Sequence, residues 1–221
     1  MFIGHYAVAF AVKKAAPKVS LGTLFLAVQF LDLLWPILVL LGLEHMRIDP
    51  GNTAFTPLDF YDYPISHSLV TALVWSLGLG VVYAILRQYP RGTLIVAAGV
   101  FSHWILDFIT HRQDMPISPW METKVGLGLW NSIFGTVVIE GGLFLVCVAI
   151  YARSTIAKDR AGRYALWSLI GFLVLIWTIN MLSPPPPNET AVAYSALLLW
   201  LLVPWGYWID KHRRSVTEVD G

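Results

Sequence analysis

Residues 103–111 read His-Trp-Ile-Leu-Asp-Phe-Ile-Thr-His, with potential metal ligands at every fourth position of an otherwise apolar run. On a helix these spacings place His103, Asp107 and His111 within an arc of about 80° on one face. Ionisable side chains are costly in an apolar helix, so this face must meet a partner, water or a metal. Imidazole and carboxylate groups suit Zn²⁺ or a similar divalent ion. The segment therefore indicates a metal site, and the alternative is two interfacial histidines with a counter-ion in a helix bundle.

The composition is typical of a membrane protein. Hydrophobic residues make up 57% of the 221 residues and charged residues 13%, about half the charged share of a soluble domain. The net charge of +1 gives no indication of nucleic-acid binding, and no basic stretch is interleaved with aromatic residues. The single cysteine, Cys147, lies in an apolar run and is interpreted as a packing residue.

Six stretches are apolar over the roughly 20 residues that a helix needs to cross a bilayer. They are residues 20–43, 66–86, 92–112, 132–153, 163–182 and 190–209. A shorter apolar segment at residues 2–12 predicts a half-membrane or interfacial helix. The sequence thus predicts an all-α, polytopic membrane helix bundle of six transmembrane helices plus a short N-terminal helix. Residues 1–221 are expected to form a single integral-membrane domain.

Basic residues concentrate in alternate connections between these stretches. They lie before the first stretch, between the second and third, between the fourth and fifth, and after the sixth: Lys13, Lys14, Lys18, Arg87, Arg91, Arg153, Lys158, Arg160, Arg163, Lys211, Arg213 and Arg214. By the positive-inside rule these connections and the C-terminus are cytoplasmic, in what we expect to be a bacterial inner membrane. The loops 44–65 and 113–131 would then face the extracytoplasmic side.

Further polar residues of the apolar stretches gather at one depth. Asp32 lies near the middle of the first stretch, and His67 opens the second, where Ser66 is the expected N-cap. Glu140 lies about two turns inside the outer end of the fourth stretch, and His5 belongs to the short N-terminal segment. Each could singly be an ordinary paired or interfacial residue. Their convergence with residues 103–111 at the outer half of the bilayer predicts one site.

The number of candidate ligands exceeds what one tetrahedral Zn²⁺ requires, which favours two or more ions. Asp107 would lie between the ions bound by His103 and His111. Paired ions about 3.5–4 Å apart stabilise the attacking and leaving oxygens of phosphoester hydrolysis. Mg²⁺ is disfavoured because it prefers carboxylates and water to imidazole. The other two histidines, His45 and His212, are expected to be solvated.

The order of these residues resembles a known family. An N-terminal histidine, an acid in the next helix, a His-Ser pair opening a helix and then His-x-x-x-Asp-x-x-x-His are similar to the membrane-bound metal-dependent hydrolase family. That family is itself distantly similar to zinc-dependent phospholipases C and single-strand zinc nucleases. The resemblance covers residues 1 to about 145, which would form the metal-site core, and leaves residues 163–209 as two additional transmembrane helices. It implies a ligand set for one to three Zn²⁺ ions, or another divalent transition metal: His5, Asp32, His67, His103, Asp107, His111 and Glu140.

The predicted function is a membrane-embedded metal-dependent hydrolase that acts on a lipid ester or phosphoester at the extracytoplasmic side. Asp32 or Glu140 would be the catalytic general base where it is not a ligand. The alternative is a proton or divalent-metal transporter or channel that uses the same residues. Such a path needs polar residues in the cytoplasmic half, where the spans have few. Transporters also commonly have broken helices and inverted repeats, and the sequence indicates neither. A third hypothesis is a structural protein whose metal joins the helices at a closed site.

Overall fold

The computed structural model describes residues 1–216, which form the predicted all-helical bundle. The helices are α1 (Ile3–Lys13), α2 (Leu21–Val28), α3 (Phe30–Leu40), α4 (Pro64–His67), α5 (Leu69–Arg87), α6 (Pro90–Thr110), α7 (Ile133–Thr136), α8 (Gly142–Ser154), α9 (Arg160–Leu182), α10 (Glu189–Leu197) and α11 (Leu202–Lys211). Three antiparallel strand pairs lie in the connections: β1 (His45–Ile48) with β2 (Leu58–Asp62), β3 (Met115–Pro116) with β4 (Lys124–Val125), and β5 (Thr155–Ala157) with β6 (Arg213–Ser215).

The predicted membrane spans are confirmed in number. Among the described residues, five helical segments are long and apolar enough to cross a membrane: Leu69–Arg87, Pro90–Thr110, Ile133–Ser154, Arg160–Leu182 and Glu189–Lys211. The pair α2–α3 gives a sixth span when it is counted as one bent crossing. The bundle therefore agrees with the six apolar stretches of the sequence.

The first span is broken, so the expectation of uninterrupted spans is wrong. α2 and α3 meet at an angle of 54°, and Gln29 between them has a non-helical backbone with φ −105° and ψ 4°. Neither a proline nor a glycine lies at this break. The nearest proline, Pro36, lies seven residues further along, inside α3. A break inside the membrane leaves backbone carbonyl groups that need other donors, and tertiary contacts must supply them.

The fourth span is continuous but irregular. It begins as α7, passes through a π-helical turn at Val137–Gly141 and continues as α8. Glu140 lies on this turn and is fully buried. An extra residue in one helical turn re-aims the side chains beside it, and such turns are frequent at functional sites.

The short helix α1 is packed inside the bundle rather than at its surface. It contacts α8, α2 and α6, and Ile3, Tyr6 and Phe10 are almost completely buried. Edge-to-face ring contacts join Phe10 to Phe25 and Tyr151. This packing holds the first turn of α1 against α6, where the predicted ligands lie.

The bundle has two chemically different ends. The "histidine end" is where α3 and α6 finish and α5 begins, and the β1–β2 and β3–β4 pairs lie there. The "basic end" is where α1, α8 and α11 finish and α9 begins, and the β5–β6 pair lies there. The positive-inside rule predicts that the basic end is cytoplasmic.

Candidate metal centre

Five ionisable side chains from four helices meet inside the histidine end. They are His5 of α1, Asp32 of α3, His67 of α4, and His103 and Asp107 of α6, and they form two overlapping sets. One set is His5, His103 and Asp107, and the other is Asp32, His67 and His103. The candidate ligand atoms of each set all lie within 4.8 Å of one another. The structure thus brings together five of the seven residues that the sequence predicted.

Asp107 lies at the centre of the cluster. Its Oδ1 atom is 3.1 Å from Nε2 of His5 and 2.5 Å from the α-amino group of Met1. Its Oδ2 atom is 3.1 Å from Nε2 of His103 and 3.8 Å from Nε2 of His67. Asp107 therefore lies between His5 and His103, and the expectation that it would lie between His103 and His111 is wrong.

The break in the first span orients His103. Its Nδ1 atom is 2.7 Å from the carbonyl oxygen of Val28, the last residue of α2. A carbonyl oxygen only accepts, so Nδ1 is the donor and carries the proton. In the neutral ring the lone pair of Nε2 then points into the cluster, 3.6 Å from Oδ1 of Asp32. Such a partner for the second ring nitrogen is the usual way in which a ligand histidine is oriented.

A buried carboxylate orients His67 through a serine. The Ser66 hydroxyl donates to Oε2 of Glu44 over 2.6 Å, so it accepts from Nδ1 of His67, which is also 2.6 Å away. The lone pair of His67 Nε2 is therefore directed at Asp32, whose Oδ1 lies 3.4 Å away. Ser66 is thus not the N-cap of the second span as predicted, because Ser68 caps α5 by accepting from Thr71 N.

Glu44 is a residue of the candidate site that the sequence did not indicate. It lies in the loop after α3, is fully buried, and also accepts from the backbone N–H groups of Ile65 and Ser66. Burial raises the pKa of the Glu44 carboxyl, and the hydrogen bonds from Ser66 oppose this shift. The sequence held only a weak signal, the Ser66–His67 dipeptide, whose hydroxyl needed an acceptor.

The cluster fits a divalent metal ion because two of its buried imidazole nitrogens have no hydrogen-bond partner among the described residues. Nε2 of His5 and Nε2 of His103 are buried, and neither makes a hydrogen bond within the part of the chain that the structure describes. Both nonetheless lie 3.1 Å from a carboxylate oxygen of Asp107. Buried polar atoms are normally paired, and these atoms point past the carboxylate rather than at it. Imidazole nitrogens and carboxylates in this arrangement suit Zn²⁺ or a similar ion.

His111 lies outside both ligand sets of the described residues. α6 ends at Thr110, and His111 has an extended backbone with ψ 148°. The helix therefore ends one residue before His111, and this side chain does not share a helical face with Asp107. Its Nδ1 atom instead lies 3.0 Å from Oδ1 of Asp114 and 3.2 Å from the Tyr63 hydroxyl.

Glu140 also lies outside both sets, and its oxygens have other partners. Oε1 accepts from the backbone N–H of Gly4 over 3.1 Å, and Oε2 accepts from Nε1 of Trp177 over 3.2 Å. The π-helical turn thus aims Glu140 at α1 on one side and α9 on the other. The contact with Gly4 positions the start of α1, and hence His5, while Trp177 fixes Glu140 from a span that the family resemblance does not cover.

The cluster is open on one side. The Asp32 side chain is 28% exposed, whereas those of His67, His103 and Asp107 are at most 5% exposed. Above the cluster, the buried Asp59 of β2 pairs with Arg47 and Arg112, which holds the β1–β2 pair over the end of α6. Access to the centre is therefore past Asp32.

The expected solvated histidines are at the surface or near it. His45 pairs with Asp62 over 2.8 Å, with both side chains 46% exposed. His212 pairs with Asp159 over 2.7 Å at the basic end, and its side chain is 26% exposed. Neither belongs to the buried cluster, as predicted.

The fold and the site define a class: an integral membrane helix bundle with a buried cluster of histidines and aspartates. Residues 64–184, more than half of the chain, match the model of the YdjM inner membrane protein family. The chain therefore belongs to this family and is an inner-membrane protein. The matched segment contains His67, His103 and Asp107, whereas His5 and Asp32 precede it. Neither a curated protein nor a solved structure matches the chain.

Proposed function

We propose that this protein is a membrane-embedded metal-dependent hydrolase that cleaves an ester or phosphoester of a lipid. The observation that carries the proposal is the convergence of His5, His67 and His103 on Asp32 and Asp107. Two of these imidazoles have an Nδ1 atom committed to a partner outside the cluster, which leaves Nε2 for an ion. The two overlapping ligand sets provide for one or two ions, with Zn²⁺ the favoured metal.

Each residue has a distinct part in this proposal. A divalent ion held here would supply Lewis acidity and an activated water for ester cleavage. His5, His67, His103 and Asp107 are the buried holders of that ion. Asp32 is the carboxylate at the open side, so it is positioned to orient the substrate and to accept a proton. Glu140, whose oxygens are occupied, is a positioning residue for α1 rather than a base.

The depth of the cluster supports a lipid as the substrate. Asp107 and His103 lie three and seven residues before the end of α6 at Thr110, which corresponds to about 5 and 10 Å along the helix. The polar and interfacial layer of a bilayer extends beyond a hydrocarbon core of about 30 Å. A centre at this depth meets the ester and phosphoester linkages of lipids rather than solutes in bulk water.

The test is a hydrolysis assay on purified protein with mixed phospholipids and a phosphodiester probe. We expect activity that a chelator abolishes and added Zn²⁺ restores, and that Asp32→Asn lowers by about 10²–10⁴-fold. Asp62→Asn is the matched control, since it removes an exposed carboxylate at the same end without touching the cluster. Metal-dependent cleavage that is equal in both variants would contradict the assignment of Asp32.

One observation favours the transporter alternative. The broken span α2–α3 is a feature that transporters share. Against it, the buried cations described at the basic end are Lys13 and Arg213. Lys13 pairs with Asp210, Arg213 donates to Thr155 and Gly162, and neither has an ionisable partner that leads towards Asp107. Proteoliposomes that carried protons or Zn²⁺ in a His103-dependent manner, without any ester cleavage, would favour transport over hydrolysis.

A further inference from the structure

A cavity at the basic end has a strongly unbalanced charge. Its volume is about 240 Å³, and it lies between the ends of α1 and α11 and the β5–β6 pair. Five basic side chains and one carboxylate line it: Lys13, Lys18, Lys158, Arg213, Arg214 and Asp210. The cavity lies at the opposite end of the bundle from the histidine cluster, and the proposed hydrolysis does not use it.

The one carboxylate of the cavity is already neutralised. Oδ1 and Oδ2 of Asp210 lie 2.8 and 2.9 Å from Nζ of Lys13, which also donates to the carbonyl of Val19. The neighbouring Asp159 is held by His212 and by the backbone N–H of Gly162. Neither acid is therefore available to the remaining basic groups.

Arg213 is a nearly buried cation without a carboxylate partner among residues 1–216. It is 8% exposed, and its N–H groups donate to the carbonyl and hydroxyl oxygens of Thr155 and to the carbonyl of Gly162. These acceptors satisfy its hydrogen bonds but do not compensate its charge. A buried charge is costly unless an opposite charge lies near it.

Three exposed cations add to this charge. Lys18 lies over the ring of Tyr89, and Lys158 donates to the carbonyl of Lys211. No ion pair joins either of them, or Arg214, to a carboxylate in the described part of the chain. The cavity therefore presents several positive charges that an anion would complement.

The position of the cavity relates it to the membrane surface. Its walls come from the ends of the spans Ile133–Ser154 and Glu189–Lys211. Trp208 lies within one turn of the end of α11, and Tyr164 lies about one turn after the start of α9. They are 47% and 67% exposed, as is typical of residues at the bilayer interface. Lipid headgroups lie at this level, and basic pockets between spans bind anionic headgroups.

We propose that this cavity binds the phosphate group of an anionic phospholipid at the basic end. Arg213 is the fixed, pre-oriented cation at the wall of the cavity, and Lys18, Lys158 and Arg214 close around the phosphate from the surface. The acyl chains lie along the apolar surface of α9 and α11. This site is independent of the proposed hydrolase function and lies at the opposite end of the bundle.

Native mass spectrometry of the full chain in detergent, titrated with phosphatidylglycerol, tests the site. The cavity variant is the triple substitution Lys18→Gln, Lys158→Gln and Arg214→Gln, which keeps Arg213 and its hydrogen bonds. The matched control is Lys14→Gln, Arg160→Gln and Arg163→Gln, which removes the same charge from exposed residues of the same end, outside the cavity. We expect the affinity to fall at least about tenfold in the cavity variant and less than about threefold in the control.

Competition with other ligands shows whether the cavity binds a lipid headgroup or a soluble phosphate ester. Phosphatidylethanolamine, which has no net charge, should bind at least about tenfold more weakly than phosphatidylglycerol. Glycerol phosphate that displaced the lipid at equal concentration would show that a soluble phosphate ester is the ligand instead. Equal losses in the two triple variants would overturn the site and leave only a diffuse attraction to the membrane. Lipid bound at the histidine cluster would persist in the cavity variant and would overturn it too.

Discussion

The two ends of the bundle differ in the sign of the charge that the described residues leave without a full counter-charge, which is negative at the histidine end and positive at the basic end. At the histidine end, imidazoles surround Asp32 and Asp107, and the α-amino group of Met1 pairs with Asp107. No Lys or Arg of the described residues lies within ion-pair distance of either carboxylate, so one ammonium group meets two carboxylates. At the basic end, Arg213 and its exposed neighbours have no carboxylate available to them in that same part of the chain. Both arrangements are costly in a low-dielectric setting unless a counter-charge is bound. The difference supports both proposals, a cation site at the histidine end and an anion site at the basic end.

Asp107→Ala should have the largest effect and should break the histidine end alone. The carboxylate contacts three imidazoles, and its removal leaves the charge of an ion uncompensated. We expect metal affinity to fall by more than about 100-fold, measured as bound Zn²⁺ per chain after dialysis. Asp62→Ala should keep its metal, because that side chain pairs with His45 at the surface. Unchanged metal content in Asp107→Ala would place the ion elsewhere.

Arg213→Gln should destabilise the basic end and leave the metal in place. The substitution removes hydrogen bonds that join α9 and β5 to the C-terminal strand. A loss of about 2–3 kcal/mol in the free energy of unfolding is expected, because charged hydrogen bonds of a buried group are lost. Thermal unfolding in detergent measures it, with the exposed neighbour Arg214→Gln as the control. Equal stability of the two variants would show that the Arg213 contacts do not support the fold.

Glu44→Gln should lower metal affinity by about 10–100-fold, less than the loss of a direct ligand. Glu44 acts through Ser66, whose hydroxyl orients His67. The amide cannot accept all the hydrogen bonds that the carboxylate accepts, so the His67 ring is less well fixed. Glu189→Gln, an exposed acid after α9, is the control for charge. A Ser66→Ala variant with the same loss as Glu44→Gln would support the relay, and parent-like affinity in both would refute it.

His212→Ala should have the smallest effect, and the effect should disappear in acid. The hydrogen bond from His212, with that from Gly162 N–H, lowers the pKa of the Asp159 carboxyl. A lowered pKa in the folded state contributes stability above the unfolded pKa of about 4 and loses it as the pH falls further. The variant should therefore be slightly less stable than the parent at neutral pH, and the difference in melting temperature should shrink as the pH falls below about 4. A large change at neutral pH would contradict an exposed, peripheral role.

The sequence could predict the features that depend on local pattern. Hydrophobic stretches define the spans, and helical spacing correctly places His103 and Asp107 together on α6. The prediction failed for His111, because the pattern of spacing carries no signal for a helix that ends at Thr110. The sequence also did not predict the break at Gln29, because no proline or glycine lies at that bend.

The sequence also could not predict which residues distant along the chain pair with each other. The relay from Glu44 joins a loop to a helix about twenty residues later, and Glu140 finds its partner Trp177 on a span outside the family resemblance. Neither pairing has a periodic signature. A buried acid can be recognised from sequence as costly, but its partner is fixed only by tertiary structure.

The carbonyl group of Val28 has a consequence for how this protein can vary in evolution. The atom that orients His103 belongs to the backbone, so every amino acid at position 28 supplies it. Selection at this position therefore acts on the shape of the side chain against Gly99 and on the bend that exposes the carbonyl. Related sequences can exchange one small apolar residue for another here while the hydrogen bond persists. A residue essential to the geometry of the centre would then look like an ordinary packing position in any comparison of sequences.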